Sequence, residues 1–159
     1  MKNFDYLEPE SVAEASAQLR AHGDDSVLIA GGTALLLALR LGLVEPSYLV
    51  SLERVAGVNE ITFSGNEGLR LGAMIRHADI ERHPLIIENY PILAEMASVV
   101  AGPQIRNRGT LGGNLCYGDP ASDPPAVLLV LDATVTLEDD SKSRSLPLSE
   151  FLVGYYETA

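Results

Sequence analysis

The chain is poor in the side chains that usually carry chemistry. It has one cysteine, Cys116, in 159 residues, which excludes an internal disulfide and any all-cysteine metal site. Its three histidines, His22, His77 and His83, are scattered without metal-ligand spacing. Each reads as a helix end or a surface position. No Ser-His-Asp order and no pair of catalytic carboxylates is evident. Cys116 has no histidine near it in sequence, so it reads as a small core or pocket-lining residue and not a nucleophile. Long apolar runs are absent as well. Even the run at residues 34–39, as long as any in the chain, stops at Arg40, far short of the roughly 20 residues a bilayer span needs. The start, Met1-Lys2-Asn3-Phe4-Asp5, has no apolar secretion core, and a reducing cytoplasm is the expected location. Positive charge is scarce: 11 Lys and Arg stand against 22 Asp and Glu, a net charge of −11. Such a chain is a poor partner for nucleic acid or an anionic membrane. An anionic ligand must then be held by local dipoles or a few arginines.

Glycine, in contrast, is placed with purpose. Two doublets lie about 80 residues apart, in Ala30-Gly31-Gly32-Thr33 and in Gly109-Thr110-Leu111-Gly112-Gly113-Asn114. The first sits between an apolar strand-like run and an apolar helix-like run, where a chain presents free N–H groups to an anion. It is neither G-x-G-x-x-G nor a Walker loop. An ordinary strand-to-helix turn is an equal reading of it. The second lies on a turn after a helix-like segment. Thr110, Asn114, Ser122 and Asp123 there supply hydroxyl, amide and carboxylate groups suited to a ribityl or ribose chain and to phosphates. The competing reading is a β-arch with capping residues. Two such loops suggest a ligand with two phosphates held from two sides. Arg106 and Arg108 face either a pyrophosphate, an acidic partner or plain solvent.

The hydrophobic content of 47% supports a packed core. Residues 9–22 read as an amphipathic helix closed by Gly23, and residues 27–30 as a strand. Thr33 is the expected N-cap of a helix over 34–41 that is apolar nearly all round and hence buried. Another strand spans 48–52, so the order implies a βαβ-type unit with parallel strands. The character changes near residues 53–57. A hairpin is expected around residues 64–68. Short helices follow at 77–82, at 92–101 (ended by Gly102-Pro103) and at 122–131. A strand over 134–137 pairs with 143–146. The whole is α+β, with an N-terminal subdomain of residues 1–55 and a second of 56–159. Residues 151–159 end apolar and aromatic, as in a chain cut where structure continues. Binding groups without a protein nucleophile or metal site, and so no catalytic residue, suit a protein whose cofactor does the reaction.

The segments Phe4-Asp5-Tyr6, Ala30-Gly31-Gly32-Thr33, residues 104–114 and Asp119-Pro120-Ala121-Ser122-Asp123 resemble the FAD-binding medium subunit of molybdenum hydroxylases. That group includes the carbon monoxide dehydrogenase flavoprotein subunit and the xanthine dehydrogenase flavin domain. The resemblance covers essentially the whole chain. It implies the two-subdomain FAD-binding fold of vanillyl-alcohol-oxidase (PCMH-type) flavoproteins, with FAD extended between the subdomains. Leu28, Ile29, Ala30, Gly31, Gly32, Thr33, Ala34 and Leu35 match the segment that wraps the pyrophosphate. Ala101, Ile105, Gly109, Thr110, Gly113, Asn114, Cys116, Tyr117, Ser122 and Asp123 match positions that contact the flavin nucleotide. The implied role is electron transfer from [2Fe–2S] clusters to FAD and on to an external acceptor. One cysteine cannot ligate such a cluster, so an iron–sulfur small subunit and a molybdopterin large subunit are the implied partners. The alternative is a remnant that docks those subunits without FAD. Ala34 stands where the family often has a polar or acidic residue. Some wider relatives tether the flavin through a histidine in a glycine loop. Neither loop here has one, so non-covalent binding is expected. Family members continue past this length into a third domain, so the chain is expected to be a truncated form, incomplete as an enzyme.

Overall fold

A computed structural model describes residues 2–159. It opens with a small parallel unit. β1 (Asp5–Leu7), β2 (Ser26–Ile29) and β3 (Tyr48–Ser51) form a three-stranded sheet of order β1-β3-β2, parallel throughout. Leu49 of the central strand pairs with Tyr6 on one side and Val27 on the other. Leu49, Val50 and Ser51 are buried, as expected for the middle strand of a parallel sheet. The strand β1 adds to the expected strands. Three residues carrying one aspartate and one exposed tyrosine show no period.

α1 (Val12–His22) begins three residues later than its apolar spacing suggests, because Ser11 is the N-cap. Its side chain accepts from the Glu14 N–H at 3.2 Å, satisfying one orphan donor of the first turn. Gly23 ends the helix at φ +51°. α2 (Leu35–Leu41) departs from expectation in two ways. Its N-cap is Ala34, with no side-chain bond, and not Thr33. It is also largely exposed. Leu39 is buried, but Leu37 is 58% and Leu41 64% exposed. Seven residues give two turns, and Leu35 and Leu39 alone reach the cluster of Ile29, Leu49, Val27 and Phe4 on the sheet.

The rest of the chain is helical with hairpins. β4 (Ile61–Ser64) and β5 (Gly68–Leu71) pair antiparallel, as do β6 (Thr134–Glu138) and β7 (Ser143–Pro147). Between them run α3 (His77–Arg82), α4 (Pro84–Asn89), α5 (Pro91–Val99), α6 (Pro103–Arg106), α7 (Leu111–Tyr117) and α8 (Asp123–Val130). Proline opens three of these helices at their first position, in α4, α5 and α6, where no intrahelical N–H is lost. Pro103 therefore starts α6 as well as ending what precedes it. A larger core gathers Ile80, Ile86, Leu93, Ala97, Leu148 and Phe151 from this half. α9 (Leu148–Phe151) leads into a short pair, β8 (Leu152–Gly154) and β9 (Glu157–Thr158). The Tyr156 N–H donates to the Gly118 carbonyl at 2.9 Å, docking this pair on the end of α7. The architecture is α+β.

Candidate functional site

The two glycine doublets meet. β2 is an edge strand, and the loop after it turns toward the segment before α7. A Cβ added to Gly31 would lie 2.0 Å from the Arg108 carbonyl oxygen and 3.0 Å from the Gly109 Cα. Only glycine permits that approach of two backbones. A Cβ on Gly113 would stand 3.4 Å from the Ala30 Cβ, so α7 also leans on the first loop.

The two loops differ in what they offer a ligand. Among the described residues, no hydrogen bond engages the backbone N–H of Gly31, Gly32, Thr33, Ala34 or Leu35. The Leu36 N–H is the first to be satisfied, by the Gly32 carbonyl at 3.0 Å. Five consecutive donors are thus free at the start of α2, with Gly32 turned to φ +75°, an arrangement suited to an anion. The second motif is a helix start and neither a loop nor a β-arch. Apart from the Thr110 N–H, its donors are consumed internally. Leu111 N–H bonds to the Ile75 carbonyl at 2.8 Å and Gly112 N–H to the Ala73 carbonyl at 2.8 Å. Gly113 N–H bonds to Thr110 Oγ1 at 3.2 Å, and Asn114 N–H to the Thr110 carbonyl at 3.0 Å. Gly112 is needed for contact instead: a Cβ there would meet the Ala73 Cβ at 2.6 Å.

The remaining expected residues fall around this junction. Thr110 is 3% exposed and caps α7. Ser122 donates to Asn114 Oδ1 at 2.7 Å, bringing together two of the expected polar groups from α7 and the start of α8. Asp123 sits exposed in the first turn of α8. Leu28 (42% exposed), Ile105 (41%) and Tyr117 (47%) leave apolar surface open. Ala101 holds φ +43°, a conformation an alanine rarely adopts. Ile29 is buried in the sheet cluster, so its part in the loop is through backbone alone. Cys116 is exposed on α7 and so is not core. The protein around its Sγ still desolvates the thiol and raises its pKa, against nucleophilic use.

Two cavities flank the contact of Gly31 with Arg108. One, of about 280 Å3, is lined by Ala30, Gly31, Glu53, Arg76, Asp79 and Arg108 among others. The other, of about 290 Å3, is bounded by Gly31 to Thr33, Leu36, Leu37, Arg40, Gln104, Ile105 and Arg108. Arg108 borders both. Its guanidinium lies 3.9 Å from Glu53, both about half exposed, so it is free to turn to an anion. Arg106 is not, despite its sequence neighbourhood: it is an internal tie, neither solvated nor aimed at the free donors. His77 is not a surface residue either. It is 2% exposed and its Nδ1 has no partner. Desolvation lowers its pKa. No group of three or more His, Cys, Asp or Glu is placed to hold a metal among the described residues. No described helix is long and apolar enough to cross a membrane.

Residues 2–159 match the family profile described as the FAD binding domain in molybdopterin dehydrogenase. The chain belongs to that family. The alpha subunit of the 6-hydroxypseudooxynicotine dehydrogenase complex of Paenarthrobacter nicotinovorans is 43% identical over 154 residues, 97% of this chain and 52% of that protein. The carbon monoxide dehydrogenase medium chain of Hydrogenophaga pseudoflava is 37% identical, over 98% of this chain and 54% of that one. A solved structure of carbon monoxide dehydrogenase from the same organism, lacking the Mo-pyranopterin moiety of its molybdenum cofactor, superposes with a TM-score of 0.94 over 98% of this chain. The chain spans about half the length of the curated relatives it matches. FAD is the cofactor of this domain family, and the residues present fit it. A cradle of five N–H donors suits a pyrophosphate, and open apolar and polar side chains lie to either side.

Proposed function

We propose that this FAD-binding domain serves the electron-transfer subunit of a molybdenum hydroxylase. Bound FAD supplies the redox centre between [2Fe–2S] clusters on a partner small subunit and an external acceptor, with a molybdopterin large subunit upstream. The chain's own residues bind and orient. The N–H groups of residues 31–35 neutralise the pyrophosphate, each bond to a charged oxygen contributing roughly 1.5–3 kcal/mol. Arg108 closes the anion site from the facing segment. Asn114, Ser122 and Asp123 address hydroxyl groups of the ribityl or ribose chain. Thr110 and Gly113 hold the start of α7 against Ala30, and Leu28, Ala101, Ile105, Cys116 and Tyr117 supply apolar walls. In this reading residues 1–55 and 56–159 are the two units between which FAD lies, without a covalent tether.

The observation that carries this reading is the run of five unpaired donors at residues 31–35, facing Arg108. The test is to add FAD to the purified chain, desalt it, and record the visible flavin bands with a parallel calorimetric titration. Retained bands and one-to-one binding are expected. Colourless protein with no heat of binding overturns the reading.

A further inference from the structure

We infer that Arg106 is a positioning residue for the flavin groove, acting by clamping the left-handed turn at Ala101. The inference rests on the reading above that Ala101 and Ile105 face FAD. Arg106 lies in α6, and its side chain is 14% exposed. Its Nε donates to Glu81 of α3 at 3.2 Å. Its Nη1 donates to two successive carbonyls, Val100 at 3.2 Å and Ala101 at 3.0 Å. The φ and ψ of Ala101 set the angle between those two carbonyls. One nitrogen that engages both therefore selects the backbone conformation of the residue between them.

That conformation needs selecting. Ala101 holds φ +43°, which an L-residue with a Cβ disfavours by about 5- to 30-fold. The turn joins α5 to α6, so it sets where Ile105 stands and where the Arg108 carbonyl meets Gly31. Glu81, 22% exposed, anchors the guanidinium from α3. The planar fork of arginine serves all three acceptors, whereas a lysine ammonium is a single point on a flexible stem.

Three variants separate positioning from plain stabilisation. Arg106→Lys keeps the charge beside Glu81 and loses the two-carbonyl clamp. It is expected to weaken FAD by about 5- to 30-fold. The backbone NMR couplings of Ala101 in the flavin-free chain should at the same time report loss of positive φ. Adding Ala101→Gly to Arg106→Lys removes the steric reason for a clamp. FAD affinity should then lie within about threefold of an Ala101→Gly single-variant control, which carries the same loss of the Ala101 methyl. Glu81→Gln lowers the thermal midpoint but keeps the clamp, so affinity and the Ala101 couplings stay near those of the unaltered chain. A merely structural arginine gives no rescue by glycine, and Glu81→Gln then weakens FAD as much as Arg106→Lys; that pattern overturns the inference. So does an Arg106→Lys chain that binds FAD normally. An unaltered chain that fails to bind FAD sinks the flavin reading and this inference together.

Discussion

Replacing Gly31 with alanine puts a methyl group where two backbones touch. The new Cβ would sit 2.0 Å from the Arg108 oxygen, 2.8 Å from its carbonyl carbon and 3.0 Å from the Gly109 Cα. None of these is a side-chain end that can rotate away. The two glycine segments must separate by about 1.4 Å to bring the 2.0 Å approach to an ordinary contact of 3.4 Å. Overpacking of this kind costs about 1–3 kcal/mol. For a chain of this size that lowers the melting midpoint by roughly 2–12 °C. The same opening draws Arg108 away from the donors of residues 31–35. If half of a ~3 kcal/mol strain is felt there, FAD affinity falls about tenfold. The assay is paired: thermal unfolding of the flavin-free chain, and calorimetric titration with FAD. Gly65→Ala is the control, because a Cβ there meets nothing within 4 Å and its φ is not positive. A Gly31→Ala chain that melts and binds like the Gly65→Ala control refutes the close approach.

Other consequences are open to simple measurement. Thr110→Val keeps the shape of the side chain but removes the acceptor for Gly113 N–H. It should cost about 0.5–2 kcal/mol in urea unfolding, with Thr110→Ser near neutral; equal losses in both would deny the cap. His77 is buried with its pKa pushed down from 6.5 by desolvation, so the unfolded chain takes up its proton first. Its contribution to stability is complete above about pH 6.5 and is lost as pH falls from there toward the lowered folded value. His77→Gln should flatten that part of the stability–pH curve, and an unchanged slope would count against a buried neutral imidazole. The raised pKa of Cys116 should make iodoacetamide alkylation at neutral pH slower than for a free thiol, as read by mass spectrometry. Alkylation at or above the free-thiol rate would contradict a raised pKa.

What the amino-acid order reveals here depends on how local each cause is. The end of α1 can be read because Gly23 closes it within the sequence, and the hairpins β4–β5 and β6–β7 because polar turns separate short apolar strands. The exposed face of α2 cannot, since an apolar heptapeptide says nothing about how small the sheet beneath it is. The helix α7 hides behind Gly112 and Gly113, which lower helix propensity. Thr110 immediately before Leu111 was the usable sign of an N-cap. The role of Gly31 is set by Arg108, 77 positions on. Arg106 is bound to Glu81, 25 residues earlier, and to two carbonyls that no sequence displays. The meeting of two glycine motifs, which forms the candidate site, was therefore recognisable only as two separate motifs. That one motif donates and the other packs follows from which backbone groups are already paired.

That division of labour is the central claim, and amide NMR tests it most directly. In a titration of the nitrogen-15-labelled chain with FAD, the N–H protons of Gly31, Gly32 and Thr33 are expected to move strongly downfield as they bond to phosphate oxygens. Those of Leu111, Gly112 and Gly113 should move little, because their bonds to Ile75, Ala73 and Thr110 are already made. The reverse pattern, with downfield shifts in residues 111–113 and none in 31–33, would contradict the account.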